Sequence, residues 1–348
     1  MALVGLAELA DLFGVTKQVL TNWRSRKAGF PAPIADLKSG PVWDHGSVVS
    51  WAQANGIDLL DENENSLVVE PSGRMAKVAA LMNMKGGVGK STLTANLGWY
   101  CAMKANLRVL LIDLDPQFNL SQYILGIKDY EDFIEQEGLG IDHLFKSSAP
   151  GSDPVDIVEL IREIKNWQDG SCIHLVPAKL DLSWSIRNAQ GAANLLEDHL
   201  ADIKGEYDLI LIDCAPTDSV LSDAAFMAAD YVFVPVKPEF LSAIGVPLLL
   251  ESMRRFQERH PSRAMPMFGG IIFNDTGEKP EHDRARKYVR NIAEGNDLHV
   301  FRHEISHSDS YPVGSRVGKP IFLTDNARNT KKEELLSVAR EFLYRLSA

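Results

Sequence analysis

The chain is poor in the features that mark several large protein classes. Only three cysteines occur in 348 residues, Cys101, Cys172 and Cys214. They are scattered, and no two stand at metal-ligand spacing. This predicts reduced, mostly buried thiols rather than a disulfide framework or a zinc site. No apolar run approaches the roughly 18 residues that a membrane span needs. The opening residues, MALVGLAELADLFG, lack a basic start and carry Glu8 and Asp11, which is unlike a secretory signal. A cytoplasmic protein is expected. An excess of positive charge is missing as well, since the formal balance is −11. That argues against nucleic-acid binding by the whole surface and leaves only local basic patches. There is no internal repeat and no low-complexity tract.

What is present divides into two parts. In residues 1–60, Leu3, Leu6, Leu9, Ala10 and Phe13 recur at helical spacing up to Gly14. Thr16 is a natural N-cap for a second helix from Lys17 to about Arg26, with Val19, Leu20 and Trp23 on its apolar side. Helix, short turn, helix is the helix-turn-helix pattern. Residues 28–43, AGFPAPIADLKSGPVW, suit a short hairpin or wing, and residues 44–55 suit a closing helix. Residues 61–74, DENENSLVVEPSGR, read as a linker. From Met75 onward the pattern changes. Apolar strand-like runs at 76–82, 107–112, 173–176, 208–212, 231–236 and 268–273 alternate with helical segments. An α/β fold is expected over 75–348, a mostly parallel sheet flanked by helices.

The first of these strands runs into Met84-Lys85-Gly86-Gly87-Val88-Gly89-Lys90-Ser91-Thr92, and a helix follows. This is a P-loop in its strand-to-helix setting. The glycines let backbone N–H groups turn toward phosphate oxygens, and the helix N-terminus adds its positive end. Lys90 can reach the β- and γ-phosphates, and the Ser91 hydroxyl can ligate Mg²⁺. The strict pattern fails at its first position, which is Met84, and a second lysine, Lys85, follows. Further on, VLLIDLDPQ ends a strand in Asp113 and Asp115, two residues apart and therefore on one face. An alternative reading is a strand-end turn in which Asp113 caps a helix. The run YDLILIDCAP ends in Asp213, a candidate Mg²⁺ ligand of Walker B type.

Together KGGVGKST, DLDPQ and DCAP resemble the deviant Walker A ATPases of the ParA/MinD superfamily. The resemblance covers roughly residues 75–346 and implies an ATP- and Mg²⁺-dependent ATPase. It implies nucleotide contacts from Lys85, Gly86, Gly87, Val88, Gly89, Lys90, Ser91 and Thr92, and Mg²⁺ contacts from Ser91, Asp115 and Asp213. Lys85 would cross a dimer interface to the partner's nucleotide, and Asp115 would position the attacking water. FVPVKPE looks like the family's next strand and loop. GIIFN resembles the strand leading to the adenine site, with Asn274 as a base contact. GKPI, with Pro320, looks like the loop closing over adenine. There are two departures. The family often has Gly-Asn after DPQ, where this chain has Phe118-Asn119. An arginine-containing segment of the family is replaced by Ile305-Ser306-His307-Ser308-Asp309.

Two basic surfaces are candidates for DNA. Lys17, Gln18, Asn22, Arg24, Arg26 and Lys27 fall on the second N-terminal helix, where amides read base edges and cations hold phosphates. The turn and the FPAP…GPVW stretch resemble winged helices of the MerR/excisionase kind. The other reading is a solvated face of a protein-binding domain. Arg284, Arg286, Lys287 and Arg290 form the densest cationic stretch of the larger part, to be read either as a nonspecific DNA surface or as a salt-bridged helix. Arg254 and Arg255 are a weaker candidate. The last helix carries Leu335, Ala339, Phe342 and Leu346 on one face and acids among its cations, so packing on the sheet is expected rather than a membrane surface.

The function expected from the resemblance is DNA partition. The chain would dimerise on ATP, bind DNA nonspecifically at the nucleoid, and be reset by a ParB-like partner, with operator binding by the N-terminal part. The rival readings are an ATP-switched transcription regulator and a positioning ATPase for a non-DNA cargo. An iron–sulfur ATPase of the nitrogenase-reductase type would need bridging cysteines in a motif that is not present.

Overall fold

A computed structural model describes residues 3–6, 9, 20, 29–37, 40–54, 75–146, 154–186, 193–325 and 327–347. The chain forms two compact units, Met1–Val68 and Val69–Ala348.

In the smaller unit β1 (Leu3–Gly5), β2 (Ala35–Leu37) and β3 (Gly40–Asp44) make an antiparallel sheet of order β1-β3-β2, followed by α1 (His45–Ala54). The hairpin expected over 28–43 and the helix expected over 44–55 are both present, whereas Leu3, read as the start of a helix, lies in β1. Asp44 starts α1: its Oδ2 accepts from the Ser47 amide at 3.0 Å and from the Ser47 hydroxyl at 2.8 Å, occupying donors that the helix leaves free. Trp43 is buried and donates from Nε1 to the Pro31 carbonyl at 2.9 Å. Phe30 stands edge-on to Trp43 and Trp51, a favourable aromatic arrangement. With Leu9, Leu20 and Val48 these rings give the unit its own core. The expected DNA contacts Lys17, Gln18, Asn22, Arg24, Arg26 and Lys27, and the 61–74 linker, lie outside the described residues.

The larger unit is built on β4 (Lys77–Leu81), β5 (Arg108–Leu114), β6 (Arg162–Asn166), β7 (Cys172–Val176), β8 (Leu209–Cys214), β9 (Tyr231–Val236) and β10 (Met267–Phe273). The order is β10-β9-β4-β8-β5-β7-β6, with every pair parallel except the β6–β7 edge. Strands β8 and β9 are buried at every position, which is why their sequences are continuous apolar runs rather than alternating ones. Flanking helices include α2 (Lys90–Lys104), α3 (Asn119–Glu135), α4 (Ala193–Ile203), α5 (Val220–Ala228), α6 (Gly245–Arg259), α7 (Pro280–Gly295), α8 (Ser310–Arg316) and α9 (Asn329–Ser347). Leu335, Ala339, Phe342 and Leu346 of α9 are all buried, as their spacing predicts. The antiparallel strand β6 is absent from the sequence reading. Its residues, REIKN, carry a single apolar side chain at an exposed edge.

Candidate nucleotide site

The P-loop occupies the turn between β4 and α2, at the C-terminal end of the central strands. That is where open α/β sheets place ligands. Gly87 and Gly89 take φ of +75° and +84°, backbone that side-chain-bearing residues rarely adopt. At Gly89 there is a second constraint, because a Cβ there would stand 2.1 Å from the Asn274 amide nitrogen. That amide donates to the Val88 carbonyl at 2.8 Å, so Asn274, at the end of β10, props the loop from behind. Asn83 supports it from the β4 side. Its Nδ2 donates to the Pro235 carbonyl at 2.8 Å, and its Oδ1 accepts from the Lys85 amide at 3.0 Å.

Lys90 is buried, and its ammonium lies on loop carbonyls, 3.3 Å from Lys85 O and 3.5 Å from Asn83 O. Both the amide and the carbonyl of Lys85 are therefore held. Its side chain is half-buried and has no partner among the described residues. Gly86 and Gly87 are exposed, while Ser91 and Thr92 are half-buried in the first turn of α2.

Three carboxylates converge below the loop. Asp113 and Asp213 are register partners on β5 and β8, and neither has any solvent exposure. Asp113 is fully engaged: Oδ1 accepts from the Asp115 amide at 3.1 Å, and Oδ2 accepts from the Ser121 amide at 2.8 Å and the Ser121 hydroxyl at 2.6 Å. It fastens the first turn of α3 to β5, the capping role that the sequence left open. Burial pushes its carboxyl up to about 7, against those hydrogen bonds. Asp115 is nearly buried and accepts from the Gln117 amide at 2.9 Å. Its other oxygen has no partner among the described residues.

Asp213 differs from both, since neither of its oxygens has a hydrogen-bond partner among the described residues. Burial and the nearby Asp113 hold its carboxyl well above the usual range. The Ser91 hydroxyl and Lys90 moderate that rise without supplying a bond of good geometry. An orphaned buried carboxylate is costly unless something pairs with it. With the Ser91 hydroxyl beside it, the donors are all oxygen and suit a largely hydrated Mg²⁺.

Phe118 resolves one of the departures. Its φ is +48°, the left-handed region a glycine would favour, and its ring stacks on Tyr130 with centroids 5.3 Å apart. The aromatic contact holds the backbone turn that leads from Asp115 into α3. At the other departure His307 pairs with Asp275 at 2.6 Å, and that carboxylate raises the imidazole above its usual value.

Of the base candidates, Asn274 is engaged with the P-loop as described, and Pro320 is buried at the start of a short 3₁₀ turn. The cationic stretch lies on α7. Arg286 pairs with Asp283 and Glu304, and Arg290 with Glu304. Arg284 remains 81% exposed, with only a 3.8 Å contact to Glu281, and Lys287 is exposed. Arg254 and Arg255 are tied to Glu251. All three cysteines are buried and unpaired. Among the described residues no helix is long and apolar enough to cross a membrane.

A family model described as an AAA domain matches residues 76–265. The chromosome-partitioning ATPase Soj of Treponema pallidum is 33% identical over 279 residues, covering 77% of this chain and 99% of Soj. The chain belongs to the ParA/Soj family of partition ATPases. The chromosome partitioning protein ParA of Caulobacter vibrioides is 30% identical over 289 residues, covering 79% of this chain and 96% of ParA. Among solved structures, a plasmid partition protein from Borrelia burgdorferi bound to AMPPNP has the same fold. Its TM-score is 0.57 at 24% identity, covering 78% of this chain and all of that one. Nearly the whole of Soj is matched by about three-quarters of this ParA-family chain, so the remaining quarter is additional to the Soj plan. Asn83, Ser121 and Asn96, which brace the ParA-type site, are missing from the motif reading. Nothing local marks them, because their partners lie up to 225 residues away.

Proposed function

We propose that this partition ATPase is an ATP-switched DNA-binding protein of the cytoplasm. ATP with Mg²⁺ would occupy the P-loop, with Lys90 leaving the loop carbonyls for the β- and γ-phosphates and Ser91 and Asp213 holding the ion. Mg²⁺ would supply charge stabilisation on the transferring phosphoryl group. Asp115 would orient the attacking water with the oxygen it does not spend on Gln117. Two copies would close on ATP, each Lys85 reaching the other's phosphates. The closed dimer would bind DNA nonspecifically, Arg284 and Lys287 being the more available cations of α7. A ParB-like partner would stimulate hydrolysis and release it. The N-terminal unit would add operator binding through the basic stretch from Lys17 to Lys27.

The observation that carries this reading is Lys85. Its backbone is fixed on both sides, yet its ammonium has no partner among the described residues. A rigid base with an unspent charge beside a phosphate loop suits a lysine that works across an interface. The test is DNA binding with and without ATP, for the intact protein and Lys85→Gln, on random DNA and on the sequence upstream of its own gene. Random-DNA binding that needs both ATP and Lys85 supports the dimer switch. Binding confined to the upstream sequence and indifferent to Lys85 would replace it with an ATP-switched regulator.

A further inference from the structure

Asn96 lies on α2, one and a half turns beyond Lys90, and has no solvent exposure. Its carboxamide is fully committed. Nδ2 donates to the Thr92 carbonyl at 2.7 Å and to the Tyr123 hydroxyl at 2.9 Å, while Oδ1 accepts from the Ile321 amide at 2.8 Å. The Tyr123 hydroxyl donates onward to the Lys319 carbonyl at 3.4 Å. One buried amide thus touches the P-loop helix, the helix that follows Asp115 and the residue after Pro320, and it reaches the residue before Pro320 through the Tyr123 hydroxyl.

The contact between α3 and the Gly318–Ile321 loop is close. Gly318 has φ +65°, and a Cβ there would stand 2.7 Å from the Ile124 carbonyl, so backbone rests on backbone beside Tyr123. At the other end of this short stretch of α3, Ser121 is bonded to Asp113 and also accepts from the Ala178 amide at 2.8 Å. Residues 121–124 are therefore held at both ends, by Asp113 at the strand and by Asn96 at the phosphate helix.

We infer that Asn96 is a positioning residue for hydrolysis: its carboxamide fixes the helix that follows Asp115, together with the Pro320 loop, relative to the helix that begins with Lys90. The bonds of Asn96 all go to protein groups, so its effect runs through the geometry of Asp115. A buried, fully satisfied polar network specifies one arrangement, because each broken bond leaves an unpaired group. Without Asn96, α2 and α3 can shift by a fraction of an ångström while the P-loop itself stays braced by Asn83 and Asn274. Misplacement on that scale slows a reaction that depends on alignment far more than it weakens binding.

This inference rests on the hydrolytic reading above, and the experiment separates the two. Asn96→Leu, close in shape, and Tyr123→Phe, which removes one hydroxyl, are compared with wild type in three measurements. These are binding of a fluorescent ATP analogue, single-turnover hydrolysis with Mg²⁺, and amide exchange at Ile321 and across 117–123 without nucleotide. For Asn96→Leu we expect the hydrolysis rate to fall by on the order of tenfold to a hundredfold. The dissociation constant should change by less than about threefold, and exchange at Ile321 and over 117–123 should rise. Tyr123→Phe should move rate and exchange in the same direction by less. A folded Asn96→Leu with faster exchange but an unchanged single-turnover rate would make Asn96 a purely structural residue and overturn the inference. So would a Tyr123→Phe that alters neither measurement. If the wild-type chain bound but did not hydrolyse ATP, the functional reading would fall. Exchange over 117–123 would still decide the linkage, and no change there in either variant would end it.

Discussion

Asp113 and Asp213 stand opposite each other on adjacent parallel strands, buried alike and used differently. Asp113 spends both oxygens on backbone and on Ser121, whereas Asp213 spends neither. The first carboxylate organises the site, and the second is left without a hydrogen-bond partner among the described residues. Asp213→Asn should therefore stabilise the nucleotide-free protein, because the amide replaces a carboxyl whose raised pKa opposes folding at neutral pH. It should also abolish the increase in melting temperature that Mg²⁺ with ATP gives the wild type. Thermal melts with and without Mg²⁺ check both signs. A variant less stable than wild type without nucleotide would mean that Asp213 has a protein partner after all.

The prop behind the P-loop predicts a second pair of effects. Asn274→Ala leaves the Val88 carbonyl without its donor, a loss of about 1–3 kcal/mol, and should weaken nucleotide binding as the loop slackens. Gly89→Ala adds a Cβ into the Asn274 amide at a left-handed φ and should be worse in both respects. Combining the two substitutions removes the clash but not the backbone strain. The double variant should therefore lose less than the sum of the single losses, as denaturant melts would show.

Phe118 occupies a glycine-like conformation at a cost of roughly 1–2 kcal/mol. Its stacking and partial burial against Tyr130 offset this, aromatic pairs adding about 0.5–1.5 kcal/mol beyond area burial. Phe118→Gly relieves the strain, but it loses the ring and loosens the unfolded chain further. Net destabilisation of about 1–2 kcal/mol is expected, with faster amide exchange over 116–120. Phe118→Ala keeps the strain without the ring and should be the less stable of the two.

On the last helix, Glu341 accepts from His299 and His303 at 3.1 Å each and from the Arg302 amide at 2.9 Å. These donors outweigh the burial that opposes them and bring its carboxyl down to about 2. A depressed carboxylate adds stability above its unfolded value, and that stability is lost as pH falls. The loss should run from about 4.5 to about 2. Glu341→Gln should cost on the order of 3 kcal/mol at neutral pH and flatten this part of the acid-denaturation curve.

The parallel strands could be read from sequence because each is an unbroken apolar run ending in a turn, and burial on both faces leaves no other pattern. Strand β6 escaped because Arg162, Glu163 and Lys165 serve an exposed edge, where apolar periodicity has no cause. The P-loop and its acids were legible because their chemistry demands particular residues at fixed spacing. Asn83, Asn96 and Asn274 act through partners remote in the chain, and an isolated asparagine carries no sign of what it will touch. The α7 cations show the converse. Their density is visible in sequence, but the Glu304 that engages Arg286 and Arg290 comes from a segment beyond the helix.

The outer border of β10 is occupied by residues 299–305, which bond to the Ile271 amide and carbonyl and to the Phe273 carbonyl. The opposite border is β6, short and charged at three of its five positions. The first rim is covered, and the second carries charges that discourage pairing with a neighbouring chain. A wide parallel sheet with one border covered and the other charged is guarded against edge-to-edge pairing of its copies.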